Sequence, residues 1–148
     1  MVINMFQVSS NMGIFGNIFG KKESGRGRTM VGILKPFDKQ KIQDDWVRIE
    51  QLVQTARPSA LKEAVIVADK LLDYALLQVS SGEAMGERLK NVLPAFPPDT
   101  YHIYQGLWEA HKMRNALVHE PNFDLTVLVA RDVLEKFKRG FQSLGVRI

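Results

Sequence analysis

Residues 108–120 contain the side chains of this chain that are best suited to chemistry. Arg114, Asn115 and His119 lie close together near the end of a segment with helical periodicity, which Pro121 terminates. A histidine titrates near neutrality and can take up or release a proton, and an arginine can hold a phosphate through paired N–H groups. Together these groups could assist a phosphoryl transfer that needs a base, an acid and a positive charge.

The helix predicted over residues 100–119 has two faces that need partners. At about 100° per residue, one face consists of Ile103, Leu107, Ala110, Met113 and Leu117. Arg114 falls within that apolar face, where its charge requires a carboxylate or a phosphate. The opposite face carries Tyr104, Trp108, Asn115 and His119. Two such faces indicate a helix that is central to a bundle or shared between two subunits.

The segment Arg114-Asn115-Ala116-Leu117-Val118-His119 resembles the signature of the HEPN superfamily. That signature is an arginine, four to six further residues and a histidine, often with an asparagine directly after the arginine. The resemblance covers roughly residues 40–144 and implies an all-helical fold. It also implies a metal-independent ribonuclease, as in many members, or a protein that binds RNA or nucleotides without cutting. Members commonly form dimers with facing motifs, which implies catalytic roles here for Arg114, Asn115 and His119.

Helix geometry separates Arg114 from His119 by about 140°, so one rigid helix cannot aim both at one point. Two arrangements would bring them together. The last turn could loosen ahead of Pro121, or a symmetric dimer could place His119 of one chain near Arg114 of the other. The structural alternative makes His119 a cap for the last helical carbonyls and Arg114 one half of an ion pair.

Asp69 and His111 are the expected supporting residues. Asp69 lies at the edge of the core stripe of the second predicted helix, with Glu63 and Asp73 further round the same helix. There it would either face solvent or satisfy Arg114 across the core, because buried charges persist only when they are paired. His111 lies between the two faces of its helix, where it could orient Asn115 or a phosphate, or simply be a surface residue.

Tyr104 and Trp108 are expected on a dimer face, since exposed large aromatic side chains usually mark interfaces. The alternative for Trp108 is base stacking. The chain has no cysteine, which excludes disulfides, thiol nucleophiles and cysteine metal sites. We expect no metal and no cofactor, because neither a metal-binding spacing nor a glycine-rich phosphate loop occurs in the sequence.

Positive charge is concentrated at the N-terminus. Residues 1–41 carry seven basic and two acidic side chains, and residues 42–148 carry 13 basic and 14 acidic ones. The remainder of the chain therefore has no excess of positive charge for a long phosphate backbone, and any RNA should be contacted locally. Residues 1–37 are predicted to be a poorly ordered, glycine-rich leader. Its apolar residues 12–22, which end in two lysines, could lie on a membrane surface or touch nothing.

The predicted fold is an all-α, up-and-down bundle of four long helices and one short helix over residues 38–148. The helices are expected at about 39–56, 59–79, 83–93, 100–119 and 124–144, with Asp124 as the last N-cap. No apolar run reaches the roughly 18 residues of a membrane span, and we expect a cytoplasmic protein, free or at the membrane surface. The function hypothesis is a homodimeric, RNA-directed HEPN-like protein, with an antitoxin or another protein as a further partner. The alternative is a non-catalytic dimerisation or adaptor module tethered by its leader.

Overall fold

The structure is a computed structural model, and it describes residues 30–148. Its helices are α1 (Pro36–Gln54), α2 (Pro58–Val79), α3 (Met85–Asn91), α4 (Tyr101–His119) and α5 (Val127–Ser143). Two 3₁₀ turns, Leu93–Ala95 and Pro98–Thr100, connect α3 to α4. These residues contain no strand, which confirms the all-helical class. The predictions for residues 1–29, including the apolar stretch at 12–22, lie outside the described residues.

Helix α2 is central to the bundle, because it contacts α1, α3, α4 and α5. Its buried apolar residues spread over much of its circumference: Leu61, Ala64, Val65, Ala68, Leu71, Leu72, Ala75, Leu76 and Val79. The sequence pattern indicates that α4 is either central to a bundle or shared between two subunits. In the structure α2 has the central place, because four neighbours are needed to cover so broad an apolar surface.

One glycine, Gly140, sets the separation of α4 and α5. A Cβ atom on Gly140 of α5 would lie 2.3 Å from Cδ2 of Leu107, which is fully buried on α4. A Cβ atom on Gly106 would lie 3.4 Å from the nearest atom of the Lys136 side chain, an ordinary contact. The backbone of α5 thus packs directly on Leu107, and this close approach fixes the position of α4 and its motif residues.

The ends of the packed region differ from the predicted boundaries. Leu34 is buried, and the amide of Gly32 donates to the carbonyl of Val79 at 2.7 Å, so packing begins before residue 38. Helix α5 starts at Val127, with Thr126 as its N-cap, and Thr126 Oγ1 accepts from the amide of Val129 at 3.2 Å. The N-cap prediction for Asp124 is therefore wrong. Buried Leu125 is the physical reason, because the chain stays non-helical until that side chain has entered the core.

Candidate functional site

Four polar side chains of α2 and α4 form a closed circuit of contacts, which we call the polar network: Asp69, His111, Arg114 and Asn115. Asp69 Oδ1 lies 2.8 Å from His111 Nδ1, and Asp69 Oδ2 lies 3.4 Å from Arg114 Nε. Arg114 Nη1 donates to Asn115 Oδ1 at 3.0 Å. Asn115 Nδ2 lies 3.4 Å from His111 Nε2 and closes the circuit.

The polar network runs from the core to the surface. Asp69 is 2% exposed, whereas the side chains of His111 and Arg114 are 14% and 26% exposed. His111, Arg114 and Asn115 share one side of α4 because residues three and four apart are neighbours on a helix. A buried carboxylate is costly unless it is paired, and here two groups on one turn of α4 compensate it.

The hydrogen-bond contacts of the polar network match one tautomer of His111. An ionised Asp69 carboxylate can only accept, so the 2.8 Å contact calls for a donor at His111 Nδ1. Arg114 can only donate, so the oxygen of Asn115 faces it and the Asn115 amide N–H₂ faces His111 Nε2 at 3.4 Å. This pattern matches an imidazole with a proton on Nδ1 and a lone pair on Nε2.

Arg114 retains unused hydrogen-bonding capacity. Its buried Nε has no hydrogen-bond partner within the described residues, because the 3.4 Å contact with Asp69 lacks hydrogen-bond geometry. Nη2 also has no bond to those residues, and it is not among the atoms sealed from solvent. The Arg114 guanidinium is oriented by the contacts of Nη1 with Asn115 and of Nε with Asp69. Its accessible edge at Nη2 is well suited to bind a phosphate oxygen.

The predicted ion pair between Asp69 and Arg114 is confirmed, but the closer partner of Asp69 is His111. A buried cation was missed by sequence reasoning. Arg88 of α3 binds Asp73 through Nη2 at 2.7 Å and Nε at 3.1 Å, and its side chain is only 8% exposed. The signal was present, since Arg88 falls three residues after Met85 in the inward stripe of α3. Asp73 is therefore the structural partner of Arg88.

His119 is the last residue of α4 and is exposed. The helix is intact up to this residue, and the amide of Glu120 still donates to the carbonyl of Ala116 at 2.9 Å. The last turn is therefore not loosened, which removes one of the two arrangements predicted for Arg114 and His119. Within the chain the two side chains stay about 140° apart around the helix. The other arrangement, a symmetric dimer, stays a prediction.

The predicted dimer face is partly covered within the protomer. Tyr104 is buried, with its ring centroid 5.6 Å from that of Phe96, and burial raises the pKa of its phenol. Tyr104 is thus unavailable to a partner, which corrects its assignment to that face. Trp108 is half-buried and packs on the core, with α3 residue Gly86 nearby. The cover comes from α3 and the following turns, whose position the periodicity of α4 could not reveal.

Exposed apolar side chains occur at another place beside the motif. Val118 is the penultimate residue of α4, and Leu128 and Val129 belong to the first turn of α5. All three are exposed, and Leu128 is 79% exposed. We call these three the end residues of the α4–α5 pair. Val118 precedes His119 in the chain, and exposed apolar side chains favour an interface with another chain.

Comparisons of this chain with models of protein families, with curated proteins and with solved structures gave no match. Within residues 30–148, no cluster of three or more acidic or histidine side chains is arranged to hold a metal ion. None of the helices in that range combines the length and the apolar character needed to cross a membrane.

Proposed function

We propose that this chain is an RNA-directed protein of the HEPN type, which cuts RNA as a homodimer and without a metal ion. The observation that carries the proposal is the accessible edge of Arg114, held in place by Asp69 and Asn115. Such a guanidinium can bind a backbone phosphate and stabilise the charge that develops on it. The resemblance of residues 114–119 to the HEPN signature supplies the substrate class.

Because helix α4 is continuous, the catalytic roles of Arg114 and His119 are divided between the two protomers of the proposed dimer. Arg114 of one protomer binds the phosphate, and His119 of the partner subunit donates a proton to the leaving oxygen. The exposed position of His119 at the end of α4 leaves it free to reach across, and a positive charge is favourable at a helix C-terminus. The end residues Val118, Leu128 and Val129 form part of the contact between protomers.

The proposed reaction is a transesterification within the RNA strand. The 2′-oxygen forms a bond to phosphorus while the bond to the 5′-oxygen breaks. The products carry a 2′,3′-cyclic phosphate and a 5′-hydroxyl. No excess of positive charge extends over residues 42–148, so the protein contacts the RNA near the cleaved phosphate and not along a long stretch.

Cleavage of a pool of single-stranded RNAs in excess chelator tests the proposal. Wild-type protein should cut and leave cyclic phosphate ends. His119→Ala should cut 10²–10⁴-fold more slowly, the usual worth of one proton-transfer group, with an unchanged thermal unfolding curve because His119 is exposed. His102→Ala is the matched control, since His102 is also exposed on α4, and it should cut like wild type. Absence of cutting, or cutting that survives His119→Ala, would contradict the proposal.

A second candidate function is a non-catalytic dimerisation or adaptor module. The exposed end residues favour it, because a protein partner could cover them whether or not RNA is cut. In that case the polar network serves only to satisfy the buried carboxylate of Asp69. Stable association without any RNA cleavage would support this candidate. The proposed tether at residues 12–22 lies outside the described residues.

A further inference from the structure

Metal-free RNA cleavage uses two proton transfers. One group removes the proton of the 2′-hydroxyl, and a second group protonates the departing 5′-oxygen. His119 of the partner subunit can supply one of these in each site. The chain has three histidines, and His111 is the one that lies beside Arg114 in the polar network.

We infer that His111 is the general base of the proposed site: its Nε2 removes the 2′-hydroxyl proton next to the phosphate held by Arg114, and Asp69 is its positioning residue. This inference rests on the proposed function. It assigns the two histidines opposite roles, with the neutral imidazole of His111 as base and His119 of the partner subunit as acid.

The surroundings of His111 are those of a base. Its Nδ1–H is fixed by a 2.8 Å contact with a carboxylate that is almost completely buried. This contact selects the tautomer whose Nε2 is unprotonated and stabilises the imidazolium that forms on proton uptake, the same division of labour as in a Ser-His-Asp triad. Within the described residues, the one hydrogen-bond contact of Nε2 is with Asn115 Nδ2 at 3.4 Å, a long hydrogen bond that a substrate hydroxyl could replace.

The position of His111 also suits the geometry of the displacement. The 2′-oxygen and the phosphate that it attacks are neighbours in RNA, so the base and the phosphate-binding group must be neighbours too. Asn115 and Asp69 each contact both His111 and Arg114, so these two residues are neighbours. Attacking and leaving oxygens lie roughly in line on opposite sides of phosphorus. The acid is therefore needed on the far side, where the second protomer supplies it.

The proton balance of the step is complete without a further reactant. Nε2 of His111 accepts the 2′-hydroxyl proton as the 2′-oxygen bonds to phosphorus. The bond from phosphorus to the 5′-oxygen breaks, and that oxygen receives a proton from His119 of the partner subunit. His111 then loses its proton to water, and the acid regains one from water.

Two variants of the full chain test the role of His111 in the same chelator assay. His111→Gln keeps an N–H group that can donate to Asp69 but cannot accept a proton at neutral pH, and it should cut 10²–10⁴-fold more slowly with an unchanged circular dichroism spectrum. His111→Ala leaves space for a small base. Added imidazole should restore cutting, and a series of substituted imidazoles should restore it more strongly as the basicity of the free base rises.

The outcomes separate this inference from the proposed function. A folded His111→Gln variant that cuts at the wild-type rate overturns the inference and leaves the proposed function standing, whereas a wild-type protein that cuts no RNA overturns both. If imidazoles of different basicity restore the cutting activity of His111→Ala to the same extent, they act only by filling the cavity, and this result also overturns the inference. If His111→Ala does not fold, the ¹⁵N chemical shifts of His111 in wild-type protein decide, because a proton on Nε2 in the free enzyme excludes this base.

Discussion

The carboxylate of Asp69 accepts a hydrogen bond from Nδ1 of His111 at 2.8 Å, although the two residues are 42 positions apart in the chain. The second oxygen of the same carboxylate lies 3.4 Å from Nε of Arg114. One buried group on α2 therefore orients two of the three residues of α4 to which the proposed chemistry assigns a role. An activity assay alone therefore cannot separate the structural effect of changing Asp69 from its chemical effect. The stability of each variant must be measured as well.

Asp69→Ala should lower the free energy of unfolding by about 3–5 kcal/mol, because it leaves His111 without its hydrogen-bond partner and Arg114 without its countercharge. Glu63→Ala is the matched control on α2. Glu63 pairs with Arg48 at 3.2 Å, but both side chains are exposed, so the loss should be below about 1 kcal/mol. Urea denaturation measures both. Asp73→Ala is unsuitable as a control, since Asp73 holds the buried Arg88. Equal small losses in the Asp69 and Glu63 variants would disprove the buried role of Asp69.

Gly140→Ala should destabilise the protein even though alanine favours helix. The new methyl group would lie 2.3 Å from Cδ2 of Leu107, and overpacking of this kind costs about 1–3 kcal/mol. Gly106→Ala is the counterpart on α4. It meets only the flexible Lys136 side chain at 3.4 Å and should gain up to about 1 kcal/mol of helix propensity. Thermal unfolding compares the two, and a shift of the same sign in both variants would contradict the close packing of α4 and α5.

Stability above pH 10 should depend on Tyr74. Its hydroxyl donates to Asp38 at 2.6 Å, and this hydrogen bond, with burial and the Asp38 charge, raises the pKa of Tyr74. The folded chain holds the phenolic proton to higher pH than the unfolded chain. The stabilisation is therefore complete below the unfolded pKa of about 10 and is lost as pH rises through the folded value.

Tyr74→Phe removes this linkage, so its free energy of unfolding should fall less steeply than that of wild type above pH 10. Urea denaturation at a series of alkaline pH values provides the slope. Asp38→Asn should flatten the slope in the same way, since it removes the negative charge that opposes ionisation of Tyr74. Parallel slopes in wild type and Tyr74→Phe would show that the hydrogen bond with Asp38 has no effect on the titration.

Leu128→Asp should convert the proposed dimer into a folded monomer. Leu128 is 79% exposed, so a carboxylate there costs the protomer little, but it would be desolvated in a contact between protomers. Leu77→Asp on α2 is the control, because Leu77 is also exposed and is not one of the end residues. Sedimentation velocity distinguishes the two variants. A wild-type chain that is monomeric at high micromolar concentration would remove the shared site.

Much of the fold follows from local patterns. On α5 the apolar residues Ala130, Leu134, Phe137 and Phe141, which are spaced three or four apart in the sequence, are all buried, because periodicity identifies the inward face of a helix directly. The link from Arg114 to Asp69 was also predictable, since an inward cation on one helix needs an inward carboxylate on another. Such arguments depend only on the angle of each residue around its own helix.

The parts that sequence did not reveal depend on how helices are placed relative to one another. The angle of Tyr104 was read correctly as lying away from the main apolar face of α4, but α3 and the following turns cover that side. His111 lay between two faces in the pattern, and only the packing of α2 against α4 shows that it is the nearest partner of Asp69. The N-cap of α5 is Thr126 and not Asp124, because the intervening residue Leu125 is buried in the core and lies before the helix begins.

The unbroken course of α4 through His119 has a genetic consequence if the site is shared. A dimer of chains lacking Arg114 and a dimer of chains lacking His119 are each inactive. A mixed dimer of the two variants contains one intact site, formed by Arg114 of one chain and His119 of the other. Co-expression of the two variants should then restore RNA cutting. Arg114→Ala and His111→Ala should fail to complement, because these two residues serve the same site from the same chain. The pattern of complementation thus maps which residues of the motif act within a subunit and which act between subunits.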